Sequence, residues 1–490
     1  MKLTKALSSA SSTQAVLRTY AAQRENADGM NRTATLKRLG LLLRRAPRSL
    51  WRTVHADQDF SRLVADCRKD YHSSRLQALP PQVAAGYIHG LHSVKQLSFD
   101  DILACCAALE LHATGEAETK LPDTTSKRHS FDQASGNETA RAKAFEFHAH
   151  KISGAMSAAS AWFGSLSPEA RSSAPAQEAL QALRQTLAAT AAHIDGAVDT
   201  PVSPGHAAVL LWASARLGVG LPLVQSAFAE AAIGARANLS AAHMTMTLCA
   251  AADITAAGHD VPLAAVHDLQ GAEGGVGGAE SSMCQAWVRS LLPAAAAASS
   301  SYTLLDLTRT CWSVLVVQPS LAGGLAEPFD ALAREAAAKA SEALQQWGPA
   351  HPQQDGRLPV LQRTALHAVC DLAGAVARFG GFAPGSREAS VSPEAEAWAT
   401  AAAPAVAALL GAAKPLARAI VAGQFSLRDM PQDRSVRARA TAVMRHLKTR
   451  QVAALLKGQH EGEPRDEWHR QPGGADPVTT VPSAFADVLS

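Results

Sequence analysis

The sequence predicts an all-α protein: an α-solenoid of helix-turn-helix repeats with disordered insertions and a disordered tail. Three observations carry that expectation. Alanine is abundant while aromatic residues make up only 5% of the chain, and alanine is the best helix former, whereas sheets draw on β-branched and aromatic residues. Apolar residues recur at helical spacing in a long series of segments with turn residues between them. Two of these segments open on matching residues 37 apart, Ser203 and Ser240. A period of about 35 to 47 residues built from two helices marks stacked repeats, none of which buries its apolar side alone.

The chain of 490 residues is long enough for several domains, at about 150 residues each. With 47% hydrophobic and 18% charged residues, a packed core is possible through most of it. The net charge of +3 is close to balance, so the distribution of charge informs more than its sum. None of the seven cysteines stands in a C-x-x-C pair, and they read as buried small hydrophobes in a reducing compartment.

Residues 1–20 have the composition of a mitochondrial transit peptide. Lys2, Lys5 and Arg18 alternate with hydroxyl residues, no acid precedes Glu25, and Leu3, Leu7, Val16 and Leu17 supply an apolar side. Arg18-Thr19-Tyr20-Ala21 suits cleavage before Ala21, which places the mature chain in the mitochondrial matrix. Residues 21–113 hold a basic segment and the first helical repeats. Within it, Asn31 to Arg52 carries Arg32, Lys37, Arg38, Arg44, Arg45, Arg48 and Arg52 without an acid, and Pro47 ends or bends the helix. "PPQVAAGYIHGLHSV" and "SFDDILACCAALEL" form a helical pair, with Ser98 as N-cap and Asp101 as a partial capping box at the second start.

Residues 114–141 are polar and aperiodic and read as a disordered loop. Residues 142–270 hold further repeats, and 271–280, "GAEGGVGGAE", is a Gly-rich break. Repeats resume over 281–458 and close on a basic helix; 459–490 is a mobile tail. The most apolar window, 399–424, is interrupted by Pro404, Lys414, Pro415 and Arg418, so no membrane span is expected.

At an offset of 37, Leu211 aligns with Leu248, Ala213 with Ala250 and Ala215 with Ala252. Pro222-Leu223 returns three residues late as Pro262-Leu263, which a small turn insertion explains. Trp312 echoes Trp212, and Tyr87 echoes both. The stretch Leu210 to Gly218, "LLWASARLG", resembles the repeat core of organellar RNA-binding proteins of the octotricopeptide, FAST-kinase-like and heptatricopeptide types. Weaker echoes lie at Tyr87–Val94, His243–Ile254 and Leu307–Val317. The tail lacks the strand pattern of the RAP domain that many members carry. The resemblance implies a HEAT-, armadillo- or octotricopeptide-like solenoid in organellar RNA metabolism.

No P-loop, H-E-x-x-H or G-x-S-x-G motif occurs. His148 and His150 point to different sides of a helix, His206 and His243 suit caps or core, and Trp212 with Leu210, Leu211 and Leu217 suits packing. The expectation is therefore no enzyme, no cofactor and no metal. The candidate RNA contacts are Arg434, Arg437, Arg439, Arg445, Lys448 and Arg450 of the acid-free segment 434–457, together with Arg44, Arg45 and Arg48. The partners expected are RNA (mitochondrial mRNA, guide RNA or rRNA) and other subunits of a mitochondrial ribonucleoprotein. RNA processing or editing leads. A ribosomal protein or ribosome assembly factor, or a purely protein-binding scaffold, remains open.

Overall fold

The computed structural model describes residues 2–44, 46–72, 80–113, 134–196, 202–262, 282–318, 324–345, and 401, 405 and 408. Among them the regular structure is helical and no strand occurs. The chain divides into two compact units, Met1–Asn238 and Leu239–Ser490.

Unit 1 begins with α1 (Lys2–Ser9) and α2 (Thr13–Ala22), then α3 (Gly29–Leu43), α4 (Arg48–Ala56) and α5 (Gln58–His72). A pair follows, α6 (Pro81–Ser93) and α7 (Phe99–Ala113). The long α8 (Ala134–Ser165), the short α9 (Pro168–Arg171), α10 (Ala174–Gly196), α11 (Pro204–Arg216) and α12 (Pro222–Gly234) complete it. The stretch read as a loop over 114–141 thus turns helical at Ala134.

Residues read as a presequence are folded. Ser12 caps α2, and Leu7, Val16, Leu17 and Tyr20 are buried. The helices α1 and α2 pack on α3, and α2 also on α5. Thr4 donates to Asn31 at 2.9 Å, and Arg38 donates to the carbonyl of Ala10. The apolar side of the segment is core, so cleavage before Ala21 would remove part of unit 1.

Two files of helices run through unit 1. Helices α3, α6, α8 and α11 contact one another in that order, and α5, α7, α10 and α12 do the same. Contacts of α3 with α5, α6 with α7 and α11 with α12 link the files. In the first file α3 and α6 run parallel. A Cβ on Gly29 would meet Val83, Thr33 faces Gly86, Leu36 faces Gly90, and Gly40 faces Ser93. Helices α8 and α11 are also parallel: His150 meets His206, and Gly164 lies against Arg216.

Unit 2 repeats the scheme with α13 (Ala241–Ala256), α14 (Met283–Ala297), α15 (Leu304–Val317) and α16 (Ala326–Gln345). Helix α13 packs on α15 and α14 on α16. Thr245 faces Thr310 and Cys249 faces Ser313, so α13 and α15 are parallel too.

A common stop ends α6, α11 and α13. The N–H groups of Gln96, Val219 and His259 donate five residues back to Leu91, Ser214 and Ile254, the bond of a Schellman motif. The residues before them, Lys95, Gly218 and Gly258, have φ of 58°, 62° and 72°. Gln318, after α15, has φ 50°. Trp212 and Trp312 each stand six residues before such a left-handed residue, Gly218 and Gln318. Tyr87 stands eight before Lys95 and is not their equivalent. Helix α13 has 16 residues and α11 has 13. The three-residue offset therefore lies in the helix, because both helices keep their Ser start and their glycine stop, and not in the turn.

The Gly218 stop is directly testable. A Cβ there meets nothing within 4 Å, so Gly218→Ala costs only the left-handed backbone penalty, about 1–2 kcal/mol. Equilibrium denaturation should show that loss.

The Gly-rich stretch 271–280 lies outside the described residues, but its flanks are joined. Pro262 bridges Ser282, the N–H of Met283 donates to Val261, and that of Cys284 to Asp260 at 3.1 Å. It connects two helices of one unit, while the division falls earlier, at Asn238 and Leu239. Cys67, Cys105, Cys106, Cys284 and Cys311 are buried and free. Burial pushes the Cys106 and Cys311 thiols up to about 12. No described helix is long and apolar enough to cross a membrane.

Candidate nucleic-acid interface

The basic segment Asn31–Arg52 is partly used by the fold. Arg32 pairs with Asp70 of α5 at 2.7 Å, and the Tyr87 hydroxyl donates to the same carboxylate. Arg38 is tied to the carbonyl of Ala10. Arg24 grips Asp66 at 2.6 and 2.7 Å, and Tyr20 donates to it at 2.6 Å. These bonds lock α2, α3 and α6 to α5.

The Arg24 guanidinium, with help from Tyr20, holds the Asp66 carboxyl below the usual carboxylate range. A depressed carboxylate stabilises the fold above its unfolded pKa and loses that contribution as pH falls through the folded value. Unit 1 should therefore weaken on acidification below about pH 4, and Asp66→Asn should flatten that limb of the stability–pH curve.

Arg44 ends α3 and is exposed. Arg48 lies in the first turn of α4, and its side chain is not among the described groups. Arg45 lies outside the described residues, as do Arg434, Arg437, Arg439, Arg445, Lys448 and Arg450. Asp101 behaves as expected: it and Ser98 exchange bonds across the start of α7. It also holds Arg68 at 3.2 Å.

What the fold assembles is a face on the first file. Helices α3, α6 and α11 contain no Asp or Glu, nor does α8 from His148 to Ser165. The carboxylates sit on the second file: Asp59, Asp66 and Asp70 on α5, Asp100, Asp101 and Glu110 on α7, Glu178 and Asp195 on α10, Glu230 on α12. Met30, Lys37, Leu41 and Arg44 form the exposed stripe of α3. His89 is exposed on α6 with His92 half-buried, and His150 is exposed on α8 beside half-buried Lys151. On α11, His206 and Trp212 are half-buried and Arg216 is exposed, its guanidinium 5.0 Å from the Trp212 ring centre.

Two electrostatic features mark this face. Loss of water and the charge of Lys151 hold the Lys37 ammonium below its usual pKa. Loss of water, Lys37 and His92 do the same for His89. His150 Nδ1 and His206 Nε2 are 2.8 Å apart, so one ring donates and the other, neutral, accepts. Among the described residues no group of three or more His, Cys, Asp or Glu could hold a metal.

His89, His92, Lys151 and Arg216 escaped the sequence reading because none stands in a run of arginines or lysines. The signal that finds them is the absence of acid from α3, α6, α11 and the part of α8 after Glu146. A groove of about 420 Å³ opens where α4 and α5 meet the turn after α6, lined by His55, Phe60, Val64, Arg68 and Gln96. Arg68 is already held by Asp101 and the Gln96 carbonyl. No protein-family model and no curated protein matches the chain.

Proposed function

We propose that the chain is an α-solenoid that binds the phosphate backbone of RNA along the first file of unit 1, as an RNA-binding or scaffold subunit of a mitochondrial ribonucleoprotein in RNA processing or editing. The observation that carries this reading is the separation of charge between the files. Helices α3, α6 and α11 carry no carboxylate, nor does α8 after Glu146, and the file exposes Lys37, Arg44, His89, His150 and Arg216, with Lys151 and Trp212 half-buried. Cations without neighbouring acids supply phosphate contacts that carry no base identity. A half-exposed Trp beside them offers a stacking surface.

Parallel first helices, three of which share one stop, support the solenoid part, since stacked repeats place equivalent helices side by side in one direction. The resemblance of Leu210–Gly218 to organellar repeat proteins points to the same class of partner. The matrix location rests on the composition of residues 1–20, with α1 and α2 retained as part of the fold.

The test is the affinity of the full chain for single-stranded RNA as salt is raised. Binding should fall along a straight log–log line whose slope counts phosphate contacts at about 0.7 each. Affinity that ignores salt overturns the reading. The same stripe of α3 exposes Met30 and Leu41, at 48% and 58%, which favours a protein scaffold as the second reading. Sedimentation from mitochondrial lysate separates the two. A particle dispersed by RNase supports RNA, an RNase-resistant one the scaffold, and co-migration with ribosomal subunits a ribosomal role.

A further inference from the structure

We infer that the groove between α4, α5 and the turn after α6 takes one nucleotide of a single-stranded RNA, with its base against His55 and Arg68 and its phosphate on Lys95. The inference rests on the reading just given and adds a place, at the end of the first file, where the strand is gripped.

The lining is built from groups that hold one another in place. His55 stacks on Phe60, with ring centres 5.3 Å apart and planes 10° from parallel, and its Nε2 donates to the Val94 carbonyl at 3.0 Å. Trp51 meets the His55 ring edge-on at 5.5 Å. The Arg68 guanidinium is fixed by Asp101 at 3.2 and 3.3 Å and by the Gln96 carbonyl at 3.0 Å. A fixed imidazole and a fixed guanidinium are the flat surfaces on which an unstacked base packs. Buried Phe60 and Val64 add apolar lining, and Ser61 and Gln96 add polar groups for a base edge. A volume of about 420 Å³ lies within the range of small-ligand sites.

Lys95 stands beside Gln96 at the rim. It is exposed, and its ammonium lies 4.8 Å from the centre of the Trp51 ring. Its φ of 58° is the left-handed stop that Gly218 and Gly258 make after α11 and α13. Glycine serves such a turn better than any residue with a Cβ. What lysine adds there is a charge, which Gln318, in the same conformation after α15, does not carry. Arg44 stands at the same end of the seam: Gly40, one turn before it, faces Ser93, two residues before Lys95. Neither Lys95 nor Arg44 makes an ion pair with any described residue. The carboxylates around the groove are already engaged. Asp57 accepts the N–H groups of Asp59 and Phe60, Asp59 pairs with Arg62, and Asp101 holds Arg68. An acidic peptide would answer the cations alone, whereas a nucleotide carries a planar ring and a phosphate together.

The experiment titrates the full-length chain with fluorescent oligouridine at several salt concentrations. Lys95→Gly should weaken binding about fivefold or more and flatten the salt slope by about 0.7, one contact's worth. Its melting temperature should hold or rise, because glycine suits the left-handed turn. Lys95→Arg should keep both affinity and slope. Ala65→Leu narrows the groove from an exposed position on α5. It should weaken binding with the slope unchanged, because it obstructs the base and leaves the phosphate contacts. Arg236→Gln, an exposed cation after α12, should leave affinity within about twofold, which separates a local site from net charge. Wild-type affinity in Lys95→Gly or in Ala65→Leu, with the wild type still binding, overturns the site and spares the function. So does an equal loss in Arg236→Gln, or uridine monophosphate that competes as well as the strand itself. Absence of salt-dependent binding by the wild type overturns both.

Discussion

A chain that begins at Ala21 should melt well below the full-length protein. Residues 2–20 place Leu7, Val16 and Tyr20 at 0% exposure and Leu17 at 3%. Burying side chains of this size is worth about 1.5–3 kcal/mol each. Part of that gain offsets the entropy of ordering the segment, a cost the shorter chain no longer bears. What it keeps is the damage to its own core. The faces of α3 and α5 that α1 and α2 cover become exposed, and Asp66 loses the Tyr20 hydroxyl. A net loss of several kcal/mol in a unit of this size lowers Tm by about 10 °C or more. Differential scanning calorimetry of the two chains decides it. If they melt together, residues 2–20 are dispensable and a cleaved presequence becomes the better account of them. If the short chain is destabilised, a matrix location requires that import leaves the N-terminus in place.

That segment shows why some of the molecule was legible and some was not. A basic, acid-free, hydroxyl-rich stretch with one apolar side describes both an import signal and a helix pair packed on a core. Composition does not separate them; Tyr20 reaching Asp66, 46 residues away, does. The paired helices after residue 142 were readable because their apolar spacing and their Pro, Ser and Gly punctuation agree, as at Ser203-Pro204 and Gly218. The repeat was harder to read because its stop is a backbone conformation. At Gly218 and Gly258 it is written as glycine; after α6 and α15 the same left-handed turn is made by Lys95 and Gln318, residues that carry no such signal. The candidate face is least legible, because the fold builds it from single residues on successive helices, which no run of arginine marks.

The parallel approach of α3 and α6 yields the sharpest test of the packing: a substitution whose sign depends on position. On helix propensity alone, Gly→Ala inside a helix stabilises by about 0.8–1 kcal/mol. At Gly154 of α8 a Cβ meets nothing within 4 Å, so Gly154→Ala should raise stability by roughly that amount. At Gly86 of α6 the new Cβ would stand 2.3 Å from Thr33 Cγ2. Thr33 cannot swing clear, because its χ1 is stiff and its hydroxyl is bonded to the Gly29 carbonyl at 2.8 Å. Nor can the helices part locally, since Gly90 against Leu36 and Gly40 against Ser93 hold the same seam, with Cβ approaches of 2.8 and 2.5 Å. Overpacking of this kind costs about 1–3 kcal/mol, enough to reverse the propensity gain. Gly86→Ala should therefore destabilise by about 1–2 kcal/mol, and the bulkier Gly86→Val by more. Removing the obstructing methyl tests the cause: Thr33→Ala combined with Gly86→Ala should recover most of the loss, with a coupling of about 1 kcal/mol or more in a double-mutant cycle. Urea denaturation of the four chains measures it. Additive effects, or a stabilising Gly86→Ala, would mean that α3 and α6 do not meet at this register.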